Sequence, residues 1–417
     1  MNVLMLVMSD VAHDSRVMRE AIALADHGHA IHIVGKDVPQ GWNPPHGGIT
    51  VESVSGGSGF NRPGGGASGG GSPSSGVPSA APSGGALSSV KRVARWVLLP
   101  QHRQKVWRTW CSRAETAVAG REFDVVHAHD FNVLRLAARI ADREGARLVY
   151  DSHELWSGRE RHGRPTPLER ARERRAEQRI VRRADAVLTV SDGIAERLGG
   201  WRGGEVKVVR NTFPGQRNAS GMADSEITHI AVRQRPAGVV YAGRIGPARD
   251  LETLLPAAAA AGLDAVLMGP VDHEYLPRIQ AAAGTVRIEP ARPVDEVDDV
   301  LRGAGISVVT LTDSCENHRL ALPNKLFHAV RAGVPVVAAD LPELRRIVTQ
   351  YGLGALYRPG DVASLRAAFK QVAADYPRLC EQVARAKADL SWERDAAVLV
   401  GVYESLAGRG AVSVGSR

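Results

Sequence analysis

Short apolar runs recur along the chain, each followed by a stretch with apolar residues at helical spacing. Val3–Met8 reads as a strand, residues 15–27 (SRVMREAIALADH) as an amphipathic helix stopped at Gly28, and AIHIVG as the next strand. The same rhythm returns in FDVVHAHD (123–130), a helix over 132–144, strand ARLVYDSHE (146–154), and strand ADAVLTVS (184–191) with helix DGIAERL behind it. It resumes with AGVVYAGR (237–244), a helix over 250–261, strands LDAVLMGP (263–270) and TVRIEP (285–290), and a helix over 294–302. Strand GISVVTL (305–311), a helix over 324–332 and strand PVVAAD (335–340) follow. Apolar strands alternating with helices predict parallel sheets covered on both faces. Two such series predict an α/β chain of two doubly wound, Rossmann-like domains whose strand C-termini face a cleft, where open α/β sheets bind ligands.

A length of 417 residues suits two cores. The expected N-terminal domain is 1–212, the expected C-terminal domain 213–390, and 391–407 is expected to be a helix returning to the first domain. Residues 55–86 are almost all Gly, Ser, Pro and Ala, a composition that buries too little apolar area to offset its ordering entropy. A disordered loop is expected there, and a disordered tail over 408–417.

Composition then narrows the classes. The formal charge of +8 favours anionic partners, although arginine far outnumbers lysine and much of it is expected as solvated surface. Two stretches are locally cationic: 91–113, with seven Lys/Arg, no acid and three Trp, and 159–183, with ten Arg against four Glu. Each reads either as a solvated helix or as a surface for anionic lipid. Three widely spaced cysteines indicate neither a disulfide framework nor a zinc site and suit a reducing cytoplasm. The opening MNVLMLVMSD reads as a buried strand, not a signal peptide, and no apolar run approaches the ~20 residues of a membrane span.

Candidate chemistry gathers at predicted strand ends. YAGRIGPARD (241–250) puts Gly243, Arg244 and Arg249 around a tight loop at a helix start, where backbone N–H groups and two cations suit a diphosphate. In LPNKLFH, Leu322 and Pro323 end an extended segment and Asn324 and Lys325 open a helix. A lysine there opposes the helix dipole unless an anion shares that end. His127 and His129 are expected on opposite sides of a strand end, with no third ligand for zinc. Asp151, His153 and Glu154 end another strand and could bind acceptor hydroxyls or serve as a base, or else cap and pack. The first loop, DVAHDSRV, carries Asp14 and Arg16 but no Gly-x-Gly-x-x-Gly. The chain has no Walker lysine loop, and no Asp-x-Asp for a metal-bridged sugar nucleotide.

In their order, DSRVMREAIALADHGHAIHIVG, FDVVHAHDFN, LVYDSHELW, ADAVLTVSDGIAERL, VKVVRNTF, YAGRIGPARDLETLL and LPNKLFHAVRAGVPVVAADLPELRRIV resemble the GT-B glycosyltransferases, most nearly the retaining family 4 group. The resemblance implies that Arg244 and Arg249 hold the donor diphosphate and that His129 approaches the donor sugar. It places the segment Leu320–Asn324, with Lys325, along the sugar and phosphates, and Asp14, Arg16, Asp151, His153 and Glu154 on the acceptor side. The family's two glutamates, eight positions apart, fall on Leu320 and His328, so neither is acidic; His328 is expected to face the ribose and offer one hydrogen bond. The implied activity is hexose transfer from a nucleoside diphosphate sugar (UDP- or GDP-linked) to an acceptor hydroxyl, with no metal, no other cofactor and no nucleic-acid partner. A UDP-sugar 2-epimerase and a non-catalytic sugar-nucleotide-binding protein are the alternatives.

Overall fold

The computed structural model describes residues 1–56, 104–160, 167–215, 235–283 and 286–411. Most of the Gly/Ser/Pro segment, residues 91–103 and 161–166 of the two basic stretches, and 412–417 of the expected tail lie outside the described residues.

The chain divides into two units, one made of 1–189, 195–208 and 398 onward, the other of 190–194 and 209–397. After a short excursion at 190–194, the chain passes into the second unit at 208/209; the boundary expected from sequence is 212/213. In the first unit, strands β1 (Asn2–Leu6), β2 (Ala30–Lys36), β3 (Ile49–Val54), β4 (Val125–His129), β5 (Arg147–Ser152), β6 (Ala186–Thr189) and β7 (Lys207–Val208) form one parallel sheet. Its order is β3-β2-β1-β4-β5-β6-β7. Helices α1 (Ser15–Asp26), α2 (104–117), α3 (Phe131–Glu144), α4 (Pro167–Arg183) and α5 (Asp192–Arg202) connect the strands. β1 and β4 are buried almost throughout, which is why they read as unbroken apolar runs.

The second unit repeats the plan with β8 (Gly238–Ala242), β9 (Asp264–Met268), β10 (Arg287–Glu289), β11 (Gly305–Val309), β12 (Val336–Ala339) and β13 (Gly354–Tyr357), all parallel, in the order β10-β9-β8-β11-β12-β13. Its helices are α6 (Leu251–Ala261), α7 (Leu276–Ala283), α8 (Val294–Ala304), α9 (Glu316–Leu320), α10 (Asn324–Ala332), α11 (Pro342–Tyr351), α12 (Val362–Ala374) and α13 (Tyr376–Ala386). The last helix, α14 (Trp392–Ala411), continues past the expected end at 407; its residues from Val398 group with the first unit. Each sheet reverses its strand order once, between β1 and β4 and between β8 and β11, the places where open α/β sheets leave room for a ligand. Among the described residues no helix is long and apolar enough to cross a membrane.

Phe369 on α12 is fully buried in the core of the second unit. Phe369→Ala is expected to destabilise the protein by ~3–5 kcal/mol, measured as a shift in denaturant midpoint.

Candidate functional site

In the second unit the loops after β8 and β11 flank the reversal of strand order. The loop after β8 begins where Gly243 donates to the Met268 carbonyl at 2.7 Å, and the Tyr241 hydroxyl donates to the Arg244 carbonyl at 2.8 Å. Two non-glycine residues then adopt left-handed backbone angles, Ala248 at φ 63° and Asp250 at φ 55°. Such residues cost roughly 1–3 kcal/mol each and persist only when held. The buried Asp250 carboxylate is the main restraint. It accepts from Thr253 Oγ1 (2.6 Å), Tyr357 Oη (2.7 Å) and the Gly360 amide (3.0 Å), while the Ala248 carbonyl accepts from Thr312. Arg249, between them, is fixed at the start of α6.

Gly243 lies against a cation. Its φ is 149°, and a Cβ there would stand 2.7 Å from Lys325 Nζ. Beneath it, a Cβ on Gly269 would strike the Gly243 carbonyl at 2.3 Å, so two glycines let backbone lie on backbone. Lys325 lies in the first turn of α10, and its ammonium sits 4.5 Å from the Tyr241 ring centroid. Burial, then the Arg249 charge, pushes its pKa down to about 7. Among the described residues neither Lys325 nor Arg249 has a carboxylate partner; the more exposed Arg244 lies 3.6 Å from Asp272. Thus Gly243, Arg249 and Lys325 come together as expected, over an aromatic face that strand patterning did not single out. Asn324 is exposed at the same helix start. The Leu322 side chain packs in the core, so only its backbone is available to a ligand.

His328, one turn beyond Lys325, is held differently from the expectation. Its ring lies 4.2 Å from that of Phe213, and Nδ1 is 3.4 Å from the fully buried Asp298, whose other oxygen is 3.3 Å from Arg331. A glutamate at 328 would therefore put a second carboxylate beside Asp298, a like-charge cost that sequence register did not reveal.

The first unit carries a second polar cluster. The buried Arg16 guanidinium forks onto Asp151 (Nε–Oδ2 2.9 Å, Nη2–Oδ1 2.7 Å) and reaches Glu20 at 3.0 Å. His153 Nε2 is 2.8 Å from Asp151 Oδ2, and His129 Nδ1 is 3.4 Å from the same oxygen. Burial opposes ionisation of Asp151, yet Arg16 and His153 hold it well below the usual carboxylate range. Burial likewise opposes protonation of His153, but Asp130 and Asp151 raise it to about 10. Glu20, raised by burial to about 7 against Arg16, is a member that sequence spacing missed; it sits four residues after Arg16 on the same face of α1.

Two expectations for this cluster are corrected. His127 and His129 do not point to opposite sides: residues two apart on a strand share a face, and the rings stack at 4.3 Å and 14°. The pair also has carboxylate company, since donor atoms of Glu20, His127, His129 and Asp151 lie within 4.8 Å of one another. They fit a metal ion poorly. Stacked imidazoles send their in-plane lone pairs side by side, not to one point ~2 Å from each nitrogen, and Asp151 is already forked by Arg16. The remaining acceptor-side candidates have structural partners. Asp14 caps α1, accepting from the Val17 amide (3.3 Å) and Ser9 Oγ (2.7 Å), and Glu154 accepts from Arg159 at 2.6 Å.

Comparison with known proteins decides the family. Residues 13–212 match the model of a glycosyl transferase 4-like domain, and residues 236–375 match that of the glycosyl transferases group 1. The chain is a GT-B glycosyltransferase of family 4 type. D-inositol 3-phosphate glycosyltransferases from Geodermatophilus obscurus and Catenulispora acidiphila are 25% and 26% identical to it. Each alignment takes in 68% of this chain, with 67% and 72% of the respective relative. Two solved structures share the fold over 98% of this chain. They are sucrose-phosphate synthase from Thermosynechococcus elongatus (15% identity, TM-score 0.69, 99% of that chain) and Anabaena HepE with UDP and glucose (16%, 0.63, 100%).

Two substitutions test the site's construction. Arg16→Met strands two buried carboxylates and is expected to cost ~3–5 kcal/mol of stability by chemical denaturation. Gly243→Ala forces its methyl group onto Lys325 and is expected to weaken UDP binding at least about 10-fold, with thermal stability reduced by only ~1–3 kcal/mol, read by calorimetry and melting.

Proposed function

We propose that this glycosyltransferase moves a hexose from a nucleoside diphosphate sugar, UDP- or GDP-linked, to a hydroxyl of a glycan, a lipid-linked saccharide or a small metabolite. The anomeric configuration is retained and no metal ion is needed. The observation that carries the reading is the pair Arg249 and Lys325. Two cations without carboxylate partners among the described residues lie beside a glycine-lined backbone floor, next to the N-terminus of α6. Repulsion between them is relieved by an anion, and the charge that develops on a departing diphosphate is the one they meet. Structures of the similarly folded Anabaena HepE hold UDP and glucose, or UDP-glucose, which supports a UDP-linked hexose donor. Retention follows from the acceptor attacking on the face the diphosphate leaves, with a phosphate oxygen taking the proton, so no protein nucleophile is assigned. For His129 we assign a hydrogen bond to a sugar hydroxyl; Nδ1 lies against Asp151, and buried Nε2 has no partner in the described residues. Three free cysteines favour a reducing, cytoplasmic setting, where nucleotide sugars are made.

The test is incubation with UDP- and GDP-hexoses and candidate acceptors, with products read by mass spectrometry and the anomeric proton by NMR. Acceptor-dependent product of unchanged anomeric configuration is expected. Free sugar formed without acceptor would indicate a 2-epimerase, and tight UDP binding with no turnover a binding protein. Lys325→Met is expected to lower kcat about 10²–10³-fold.

Lys325 also sets a pH dependence. With its pKa pushed down to about 7 in the free protein, it is mostly neutral at pH 8, and a bound diphosphate restores its proton. UDP affinity is expected to fall as pH rises above 7, with proton uptake at pH 8 seen by calorimetry in two buffers of different ionisation enthalpy. Lys325→Met should abolish that uptake.

A further inference from the structure

The second basic stretch balances ten arginines with four glutamates on paper, but folding sorts the two signs. On α4 the glutamates turn toward the protein. Glu173 accepts from Trp156 Nε1 at 3.0 Å, Glu177 from the Tyr150 hydroxyl at 2.8 Å, and Glu169 from Gln104 at 3.0 Å. Glu173 and Glu177 are buried alongside Ile180 and Val181. The opposite side of the helix carries Leu168, Arg172, Arg175, Arg179 and Arg182. Steps of four, three, four and three residues bring these five onto one stripe. All five are exposed, Leu168 by 73%, and among the described residues Arg172, Arg175 and Arg179 have no ion-pair partner. The stripe is straight and about 20 Å long.

We propose that this face of α4 docks the enzyme on an anionic lipid bilayer. The charge asks for phosphate-bearing or carboxylate-bearing partners; the geometry selects among them. Four cations in line on a straight helix suit a flat, extended anionic surface. The leucine at the head of the stripe exposes an apolar side chain that gains by entering the boundary between headgroups and acyl chains. A single-stranded nucleic acid would instead want aromatic rings on which to stack bases, and the stripe has none. The inference does not depend on the donor or the acceptor of the transfer reaction.

The test is flotation of the full chain with vesicles of phosphatidylcholine alone and with about 30% phosphatidylglycerol, a fraction large enough to give a strongly negative surface. Binding only to anionic vesicles, released by about 0.5 M salt, is expected. Arg172→Gln, Arg175→Gln and Arg179→Gln together should lower the partition coefficient about 100-fold, roughly 5-fold per charge. UDP binding serves as the check that the variant is folded. Independently, Leu168→Trp should add emission that shifts to the blue when anionic vesicles are present. Wild-type protein that stays in solution at low salt overturns the proposal. So does a triple variant that floats like wild type, or added emission in the Leu168→Trp variant that is indifferent to lipid. Tighter binding to DNA or RNA than to vesicles, lost in the same triple variant, would also overturn it and assign the face to nucleic acid.

Discussion

The loop after β8 depends on one buried carboxylate. Asp250 sits in a backbone conformation that only glycine adopts without cost, and three donors from two places in the chain hold it there. Two of them, Tyr357 and Gly360, lie more than a hundred residues further on, at the end of β13 and in the turn after it. The start of α6, the backbone at Arg249 and the tightness of the loop after β8 follow from that anchoring. Arg249 lies two residues before that helix, on backbone held between Ala248 and Asp250.

Charge is managed in opposite ways in the two units. In the first, Arg16 and His153 pair with Asp151 in the interior, and Arg16 also lies 3.0 Å from Glu20, whose charge burial still opposes. In the second, Lys325 and Arg249 stand close together without a carboxylate among the described residues, and part of the lysine's charge is surrendered to burial. The first arrangement stabilises the protein as it stands. The second leaves an electrostatic imbalance that an anion would relieve.

The strand and helix alternation was legible because parallel strands are buried on both faces and therefore read as apolar runs. The positions of Gly243, Arg249 and Lys325 were legible for a related reason: each lies at the punctuation between a run and a helix. What stayed hidden came from contacts across long sequence distances. Tyr241 beneath Lys325, Asp298 behind His328 and Tyr403 on His127 are separated from their partners by tens to hundreds of residues, and nothing local marks them. The stacking of His127 on His129 was legible in principle, since the period of a strand is two. On α4, net charge misled: adding up signs treats inward and outward side chains alike.

The meeting of Gly243 with Gly269 has a consequence for altering this enzyme. The floor beside Lys325 is made of main chain, so it offers no side chain to exchange and little room for one. Laboratory selection for a new sugar would find its variation in the segment after β11, Thr312 to Leu320, where exposed side chains and a single short helix border the same place. With the diphosphate seated as proposed, the fixed floor would keep it while the border was rewritten, separating the grip on the leaving group from the choice of what is transferred.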